Sequence, residues 1–407
     1  ATNKYLTHYA EPETSQRPQL DRHYRYVTCI PACDEQFSLL QTLAALSQTK
    51  DARHALTIVV INARRHAAQR VHRANQACAA ALKDRARLSD ERIALGCLDG
   101  MGIALVDRFS EGRRLPDQKG VGLARKIAID LALAWIADGS IENRLIWSTA
   151  ADVDVPYDYF HRPIAASAAF SACLFPFAHR AEGDDNQKQA LRYYEAYLHY
   201  YVNGLSDAGS SYAFHTIGSI MCIQADAYAA VRGCPKRLAG EDFYLLNKLA
   251  KVGAIKRLSG APIILAGRTS DRVPYGTGVA IARIQQMLAE GRPYEVYNPA
   301  VFIALRSWIK VIEIAGSATD IETVRQALEQ VPDPIGSILK NAVDHLNYLS
   351  PVERAINEVS GKVLRKRLVD WNDAFRTLKL IHALRDAGLK NVPADDVLKP
   401  FMTTRDE

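Results

Sequence analysis

The sequence predicts an α/β protein: a doubly wound, mostly parallel sheet of Rossmann-like type, followed by a helical C-terminal region. Three observations carry this expectation. Strand-like apolar runs alternate with amphipathic helical stretches over roughly the first 150 residues. Residues 56–61 (LTIVVI) form a continuous apolar, β-branched run, as in a central parallel strand buried on both faces. From about residue 280 to about residue 388 the pattern is helical, with breaks at 291–299 and 331–336. Strand–helix alternation of this kind builds parallel sheets with helices on both faces.

In chain order, residues 1–25 are polar and charged and read as an arm with little core-forming capacity. Residues 26–30 (YVTCI) form the first strand, which Pro31 is expected to stop. Asp34 can cap a helix running to about Ser47, with Phe37, Leu39, Leu40, Leu43 and Leu46 on its apolar stripe. The second strand at 56–61 is followed by a basic, Ala-rich helix over about 64–87. Residues 103–107 make the third strand, 120–137 a helix, and 145–147 the fourth strand. Residues 168–177 and 219–224 read as further strands, separated by a helix rich in tyrosine (Tyr193, Tyr194, Tyr197, Tyr200, Tyr201). The expected division is an arm at 1–25, an α/β core at 26–279 and a helical region at 280–407.

Composition narrows the function classes. The 407 residues are 48% hydrophobic and 24% charged, as in water-soluble globular proteins. No apolar run approaches the ~18 residues a membrane span requires. The charged N-terminus does not read as a signal peptide. Seven cysteines, an odd number scattered through apolar stretches, point to a reducing, cytoplasmic setting. Cys29 and Cys33 lack the further His or Cys pair a zinc site needs. The net charge of +6 suits anionic substrates such as nucleotides, but no concentrated basic stripe suggests nucleic acid.

The candidate chemistry centres on Asp152 and Asp154, in the run STAADVDVP at 148–156, just past the fourth strand. Ligands of doubly wound sheets bind outside the carboxyl ends of the strands. Carboxylates two residues apart at such an edge can face one divalent cation, and oxygen-only ligands suit Mg²⁺ or Mn²⁺. An isolated pair of this kind is more often simply solvated. Glu241 and Asp242 open a helix, where carboxylates either cap or act as acid–base groups. Lys119 and Arg125 flank Gly120-Val-Gly122, either as phosphate ligands or as an exposed helix start. The loop at 267–278 (GRTSDRVPYGTG) could close over a diphosphate or simply connect core to tail. The stretch at 200–219 interleaves aromatics with hydroxyls, as polyol-binding surfaces do, although tyrosines at helical spacing are more often core.

Taken together, IPACDE at 30–35, KGVGLAR at 119–125, DVDVPYDYF at 152–160 and AGEDFYLLNKL at 239–249 resemble the family 2 glycosyltransferases of the GT-A fold, over residues 26–265. The resemblance implies a soluble, non-processive enzyme that moves a sugar from a nucleotide-diphosphate donor to the hydroxyl of a sugar or other polyol acceptor. It implies that Pro31, Ala32, Cys33, Glu35 and Asn62 surround base and ribose, and that Lys119, Arg125 and Arg272 reach the phosphates. Asp152 would serve ribose or metal, and Asp154 the metal, Mg²⁺ or Mn²⁺. Asp242 would be the general base of an inverting reaction, with Glu241 orienting the acceptor. Tyr212, His215 and Ser219 would meet the acceptor.

Several departures matter. The acidic cluster that many relatives carry after the second strand is replaced by INARR at 61–65, which leaves the base (UDP, GDP or another) undecided. The Gln-x-x-Arg-Trp motif of processive members is absent, and no His lies between His215 and His345, so Asp271 or water would complete a metal shell. A retaining transferase making a small glycoside and a non-catalytic binding module remain alternatives. A homo-oligomer formed through the helical C-terminal region also stays open.

Overall fold

The computed structural model describes residues 1–89, 91–162, 170–268 and 276–402. The chain divides into two compact units, one formed by 1–182 with 216–279 and the other by 183–215 with 280–407.

The elements up to the end of the first long segment are α1 (Thr2–His8), β1 (Tyr26–Ala32), α2 (Ser38–Ser47), β2 (Ala55–Asn62), α3 (Gln69–Ala86), β3 (Ile93–Leu98), β4 (Met101–Arg108), α4 (Val121–Ala137), β5 (Leu145–Ser148), β6 (Val153–Asp154), β7 (Phe170–Leu174) and β8 (Phe177–Arg180). Helix α5 (Asp185–Asp207) belongs to the second unit. The first unit resumes with β9 (Met221–Gln224), α6 (Ala225–Ala230), α7 (Glu241–Leu249), β10 (Ala254–Arg257) and β11 (Ile263–Ala266).

Eight of these strands form one sheet in the order β10-β7-β9-β5-β1-β2-β4-β3. β1 pairs in parallel with β2 and β5, β2 with β4, and β7 with β10. β9 runs antiparallel between β5 and β7, and β3 is an antiparallel edge strand on β4. The fold is therefore the expected α/β class with a mostly parallel sheet. Every residue of β1 and β2 is buried.

Four local expectations are corrected. Pro31 does not stop β1, which continues to Ala32. The Cys29 carbonyl accepts from Thr149 N at 3.0 Å, so the alternate residue Pro31 faces the same side, where β5 has already ended at Ser148. No donor is needed there, and proline is tolerated. Asp34 does not cap α2: it sits at φ 59, pairs with Arg70 at 2.5 Å, and leaves the helix to begin at Ser38. The third strand has an antiparallel partner, β3, joined to it by Asp99 and Gly100 at φ 49 and 87. Asp-Gly with both residues at positive φ is a hairpin turn whose twist matches the strands it joins.

The fourth correction concerns the arm. Tyr5 in α1 is 1% exposed and its hydroxyl donates to Asp130 Oδ1 at 2.6 Å. Lys126 Nζ donates to Asp130 Oδ2 at 2.7 Å, to Tyr5 Oη at 2.6 Å and to the Tyr9 carbonyl at 2.9 Å. The arm thus supplies the partners of a buried Lys–Asp pair on α4, a pair that would be costly to bury alone.

A second, three-stranded sheet β6-β11-β8 matters more for function. β6 runs antiparallel to β11, with Asp154 opposite Ile264, and β11 runs parallel to β8, with Ala266 opposite Arg180.

The second unit contains α5, α8 (Thr277–Ala289), β12 (Glu295–Val296), α9 (Ala300–Ala315), α10 (Ile321–Glu329), α11 (Ile335–His345), α12 (Leu349–Glu358), α13 (Gly361–Trp371), α14 (Ala374–Asp386), β13 (Val392–Pro393) and α15 (Ala394–Val397). Asp184, Asp320 and Asp373 cap α5, α10 and α14 by accepting from backbone N–H groups. Helix α5, assigned to the core by sequence, buries Leu191, Tyr200 and Leu205 in one cluster with Leu305 and Trp308 of α9. At Gly204 a Cβ would stand 2.6 Å from the Phe302 ring, so glycine sets how closely α5 and α9 approach. Among the described residues no helix is long and apolar enough to cross a membrane.

Candidate functional site

Asp152 and Asp154 are positioned by what holds the residue between them. Val153 is 3% exposed, and its N–H donates to Thr42 Oγ1 at 3.0 Å while the Thr42 hydroxyl donates to the Val153 carbonyl at 2.8 Å. Helix α2 and strand β11 thus fix Val153 inward. In extended backbone the two flanking side chains point to the opposite face together.

That face opens on a cavity of about 340 Å³ whose lining includes Glu35, Asp152, Asp154, Arg180, Glu182 and Arg268. Arg268 Nη2 donates to Glu35 Oε1 and Oε2 at 2.6 and 2.5 Å and to Asp152 Oδ2 at 2.9 Å. Arg180 Nη1 pairs with Asp154 Oδ2, and its Nε stands 3.4 Å from Glu182 Oε1. Glu35 also accepts from the Ser38 hydroxyl. Asp34 completes the acidic side, and Phe37, 76% exposed, stands at the rim instead of joining the apolar stripe of α2. The described lining thus holds five carboxylates and two guanidiniums.

This donor set fits a divalent cation. The oxygens are hard, two of them project to one side, and carboxylates so placed would repel a diphosphate unless a cation accompanied it. Among the described residues no three acidic, His or Cys side chains gather as a ready-made metal cluster, so water and ligand oxygens would have to complete the shell.

A second cluster lies behind β5. Arg125, 4% exposed, donates to Glu241 Oε1 at 2.9 Å, Ser148 Oγ at 2.6 Å, the Gly218 carbonyl at 3.0 Å and the Thr149 carbonyl at 3.3 Å. Asp242 Oδ2 accepts from Gly218 N and Oδ1 from Phe243 N, both at 2.8 Å. Burial, and then the neighbouring Glu241 charge, push the Asp242 carboxyl up to about 7. A Cβ at Gly218 would meet Arg125 Nη2 at 2.6 Å and Asp242 Oδ2 at 3.2 Å, so a side chain there would displace both groups. Asp242 and Glu241 are not among the residues lining the cavity. Arg125 ties them to the β5 end, four residues before Asp152.

Of the residues expected around base and ribose, only Glu35 lines the cavity. Pro31 and Ala32 are buried within β1, and Cys33 is partly exposed just beyond it. Asn62 is buried and donates to the carbonyls of Ala32 and Val60, while its own carbonyl accepts from Asn75, which closes the ends of β1 and β2 together.

Arg125, expected at phosphate oxygens, is instead the buried partner of Glu241. Lys119 is partly exposed and outside the cavity lining. The intervening glycines are not a flexible phosphate cradle. A Cβ at Gly120 or Gly122 would lie 2.6 or 2.4 Å from the carbonyl oxygens of Leu238 and Pro235, so they permit close backbone packing. Arg272 and Asp271 lie outside the described residues.

Tyr212 and His215 fall in the second unit. Tyr212 is buried, which pushes its phenol up, and the His215 ring stands edge-on to His199 at 5.0 Å. Ser219 is buried in the first unit and its carbonyl accepts from the Thr149 hydroxyl at 2.9 Å. Two residues escaped sequence reasoning. Arg268 belongs to the 267–278 stretch, which carries two arginines in sequence. Arg180 follows no motif and is placed only by β8–β11 pairing.

No family model and no curated protein matches the chain. Among solved structures it is similar to Staphylococcus aureus TarS 1-349 in complex with UDP-GlcNAc, at 11% identity and TM-score 0.40, covering 82% of this chain and 90% of that one. It is similar also to the mannosyltransferase PcManGT from Pyrobaculum calidifontis in complex with GDP-Man and Mn²⁺ (13% identity, TM-score 0.34, 93% and 94% covered). A third is glucosyl-3-phosphoglycerate synthase from Mycobacterium tuberculosis with Mn²⁺, UDP and glucosyl-3-phosphoglycerate (12%, TM-score 0.36, 68% and 83%). At such scores the function has to be argued from the site itself.

Proposed function

We propose that the chain is a metal-dependent glycosyltransferase of the GT-A type, moving a sugar from a nucleotide-diphosphate donor to an acceptor hydroxyl. The observation that carries this is the acidic pair Asp152/Asp154, held to one side at the carboxyl edge of the sheet in a cavity whose described lining also holds two guanidiniums. A leaving diphosphate develops charge that must be neutralised as the glycosidic bond breaks. Asp152 and Asp154 would hold Mg²⁺ or Mn²⁺, which supplies that neutralisation.

Asp242 fits the general base of an inverting transfer. A carboxyl raised by burial to about 7 leaves a carboxylate that is a stronger base than an ordinary one, as taking the acceptor's proton requires. The N–H groups of Gly218 and Phe243 fix its two oxygens. One observation favours a retaining reaction instead: Asp242 stands outside the cavity lining. The anomeric configuration of the product separates the two.

The test is a thermal-shift panel of UDP, GDP, ADP and CDP, each with and without Mn²⁺. At least one nucleotide should stabilise the protein in a Mn²⁺-dependent way, and Asp154→Asn should abolish that dependence. Absence of any nucleotide effect, or an unchanged effect in Asp154→Asn, defeats the proposal.

A further inference from the structure

The carboxylates suited to a cation already carry resident cations. Arg268 bridges Glu35 and Asp152, and Arg180 pairs with Asp154. Both guanidiniums are partly exposed, with side-chain exposures of 33% and 46%. Arg180 can therefore swing away into water, and Arg268 can release the partly exposed Asp152 while staying on Glu35, which is 5% exposed. The Arg125–Glu241 pair, at 5% and 3%, has no such exit.

A divalent ion on Asp152 and Asp154 and a guanidinium on the same oxygens repel one another. A diphosphate removes the conflict, because its oxygens both ligate the ion and offer the planar, two-pronged acceptor that a guanidinium fork matches. The pairing of β6, β11 and β8 sets both arginines at the edge where Asp154 lies.

We propose that Arg180 and Arg268 are exchangeable counter-ions that compete with the divalent cation for Asp154 and Asp152 and pass to the diphosphate when the donor binds. This rests on the transferase reading above. The metal alone then binds weakly, and metal and nucleotide each tighten the other by the same factor, as linkage requires.

The experiment titrates Mn²⁺ into the full chain and follows free Mn²⁺ by electron paramagnetic resonance, alone and with saturating UDP or GDP. Wild type should bind Mn²⁺ at least tenfold more tightly with the nucleotide present. Arg268→Gln and, separately, Arg180→Gln should bind Mn²⁺ alone at least threefold more tightly than wild type, while the nucleotide enhancement falls at least fivefold. Opposite signs on the two constants are what a merely structural arginine does not produce. If both variants bind Mn²⁺ alone no better than wild type, or both keep the full enhancement, the exchange is wrong even where nucleotide binding survives. If no nucleoside diphosphate binds wild type at all, the transferase reading falls with it, and that outcome is distinct.

Discussion

Two clusters in the first unit set carboxylates against guanidinium, and they differ in almost everything else. Around the cavity, Asp152 and Asp154 meet Arg268 and Arg180 across partly exposed contacts, and only Glu35, which also holds Arg268, is buried. Behind β5, Glu241 meets Arg125 in full burial, and the Nη1 of that arginine donates to Ser148 and to the carbonyls of Thr149 and Gly218. Exposed ion pairs contribute about 0–1 kcal/mol because water competes for both partners. A buried pair, once one partner is removed, leaves a desolvated charge that costs about 3–5 kcal/mol. The first cluster is therefore suited to exchange and the second to holding a position. One motif-level description, an acid near a base, covers two different physical objects.

The largest expected effect breaks the buried cluster. Arg125→Met should lose about 3–5 kcal/mol in urea unfolding, because Glu241 keeps its burial and loses its guanidinium. Adding Glu241→Gln should restore part of the loss, since the stranded charge is gone. A single-variant loss below about 1 kcal/mol would show that water reaches the pair and that the contrast with the cavity is illusory.

Much of the frame is legible in the sequence, and the reasons are local. The run at 56–61 has no polar face to give away, so a strand buried on both sides is the only economical reading. Helix α4 ends at Ala137, as its pattern indicates. The Asp99-Gly100 turn is likewise a local signal, a dipeptide suited to two positive φ values between β3 and β4. Other features depend on distant pairing. Nothing near Arg180 marks it as a partner of Asp154, since that contact exists only after β8, β11 and β6 have paired. Arg125 misled for the opposite reason. A basic residue beside Gly-x-Gly looks like a phosphate ligand, and only the approach of residues 235–238 shows that the glycines serve packing. The arm's role is likewise non-local, because Tyr5 finds its partner only in Asp130, far along the chain.

The intermediate effect concerns Asp242 and pH. Its carboxyl is raised above the ordinary value to about 7, so the folded state binds that proton more tightly than the unfolded chain does. The sign follows: between about pH 4 and 7 the folded state carries more proton, and this group's contribution to stability falls as pH rises. Asp242→Asn cannot ionise, so its stability relative to wild type should improve by about 2–3 kcal/mol on going from pH 5 to pH 8. Transfer activity of wild type should decline as pH falls through about 7, and the variant should lose it at every pH. A relative stability that stays flat across this range would mean the carboxyl titrates as an ordinary one, and the base assignment would lose its support.

The smallest expected effect sharpens the contrast from the other side. Arg180→Gln should change unfolding stability by no more than about 1 kcal/mol, since both it and Asp154 are 46% exposed and each can be solvated alone. The same substitution should nevertheless move Mn²⁺ affinity, because it removes a competitor from Asp154 without disturbing Val153, which Thr42 and β11 hold in place. Stability and ligand binding thus separate at Arg180, whereas at Arg125 they should fall together. A loss at Arg180 comparable to that of Arg125→Met, measured in the same urea series, would place both arginines in the class of fixed structural cations. The cavity would then have no guanidinium to spare for a diphosphate.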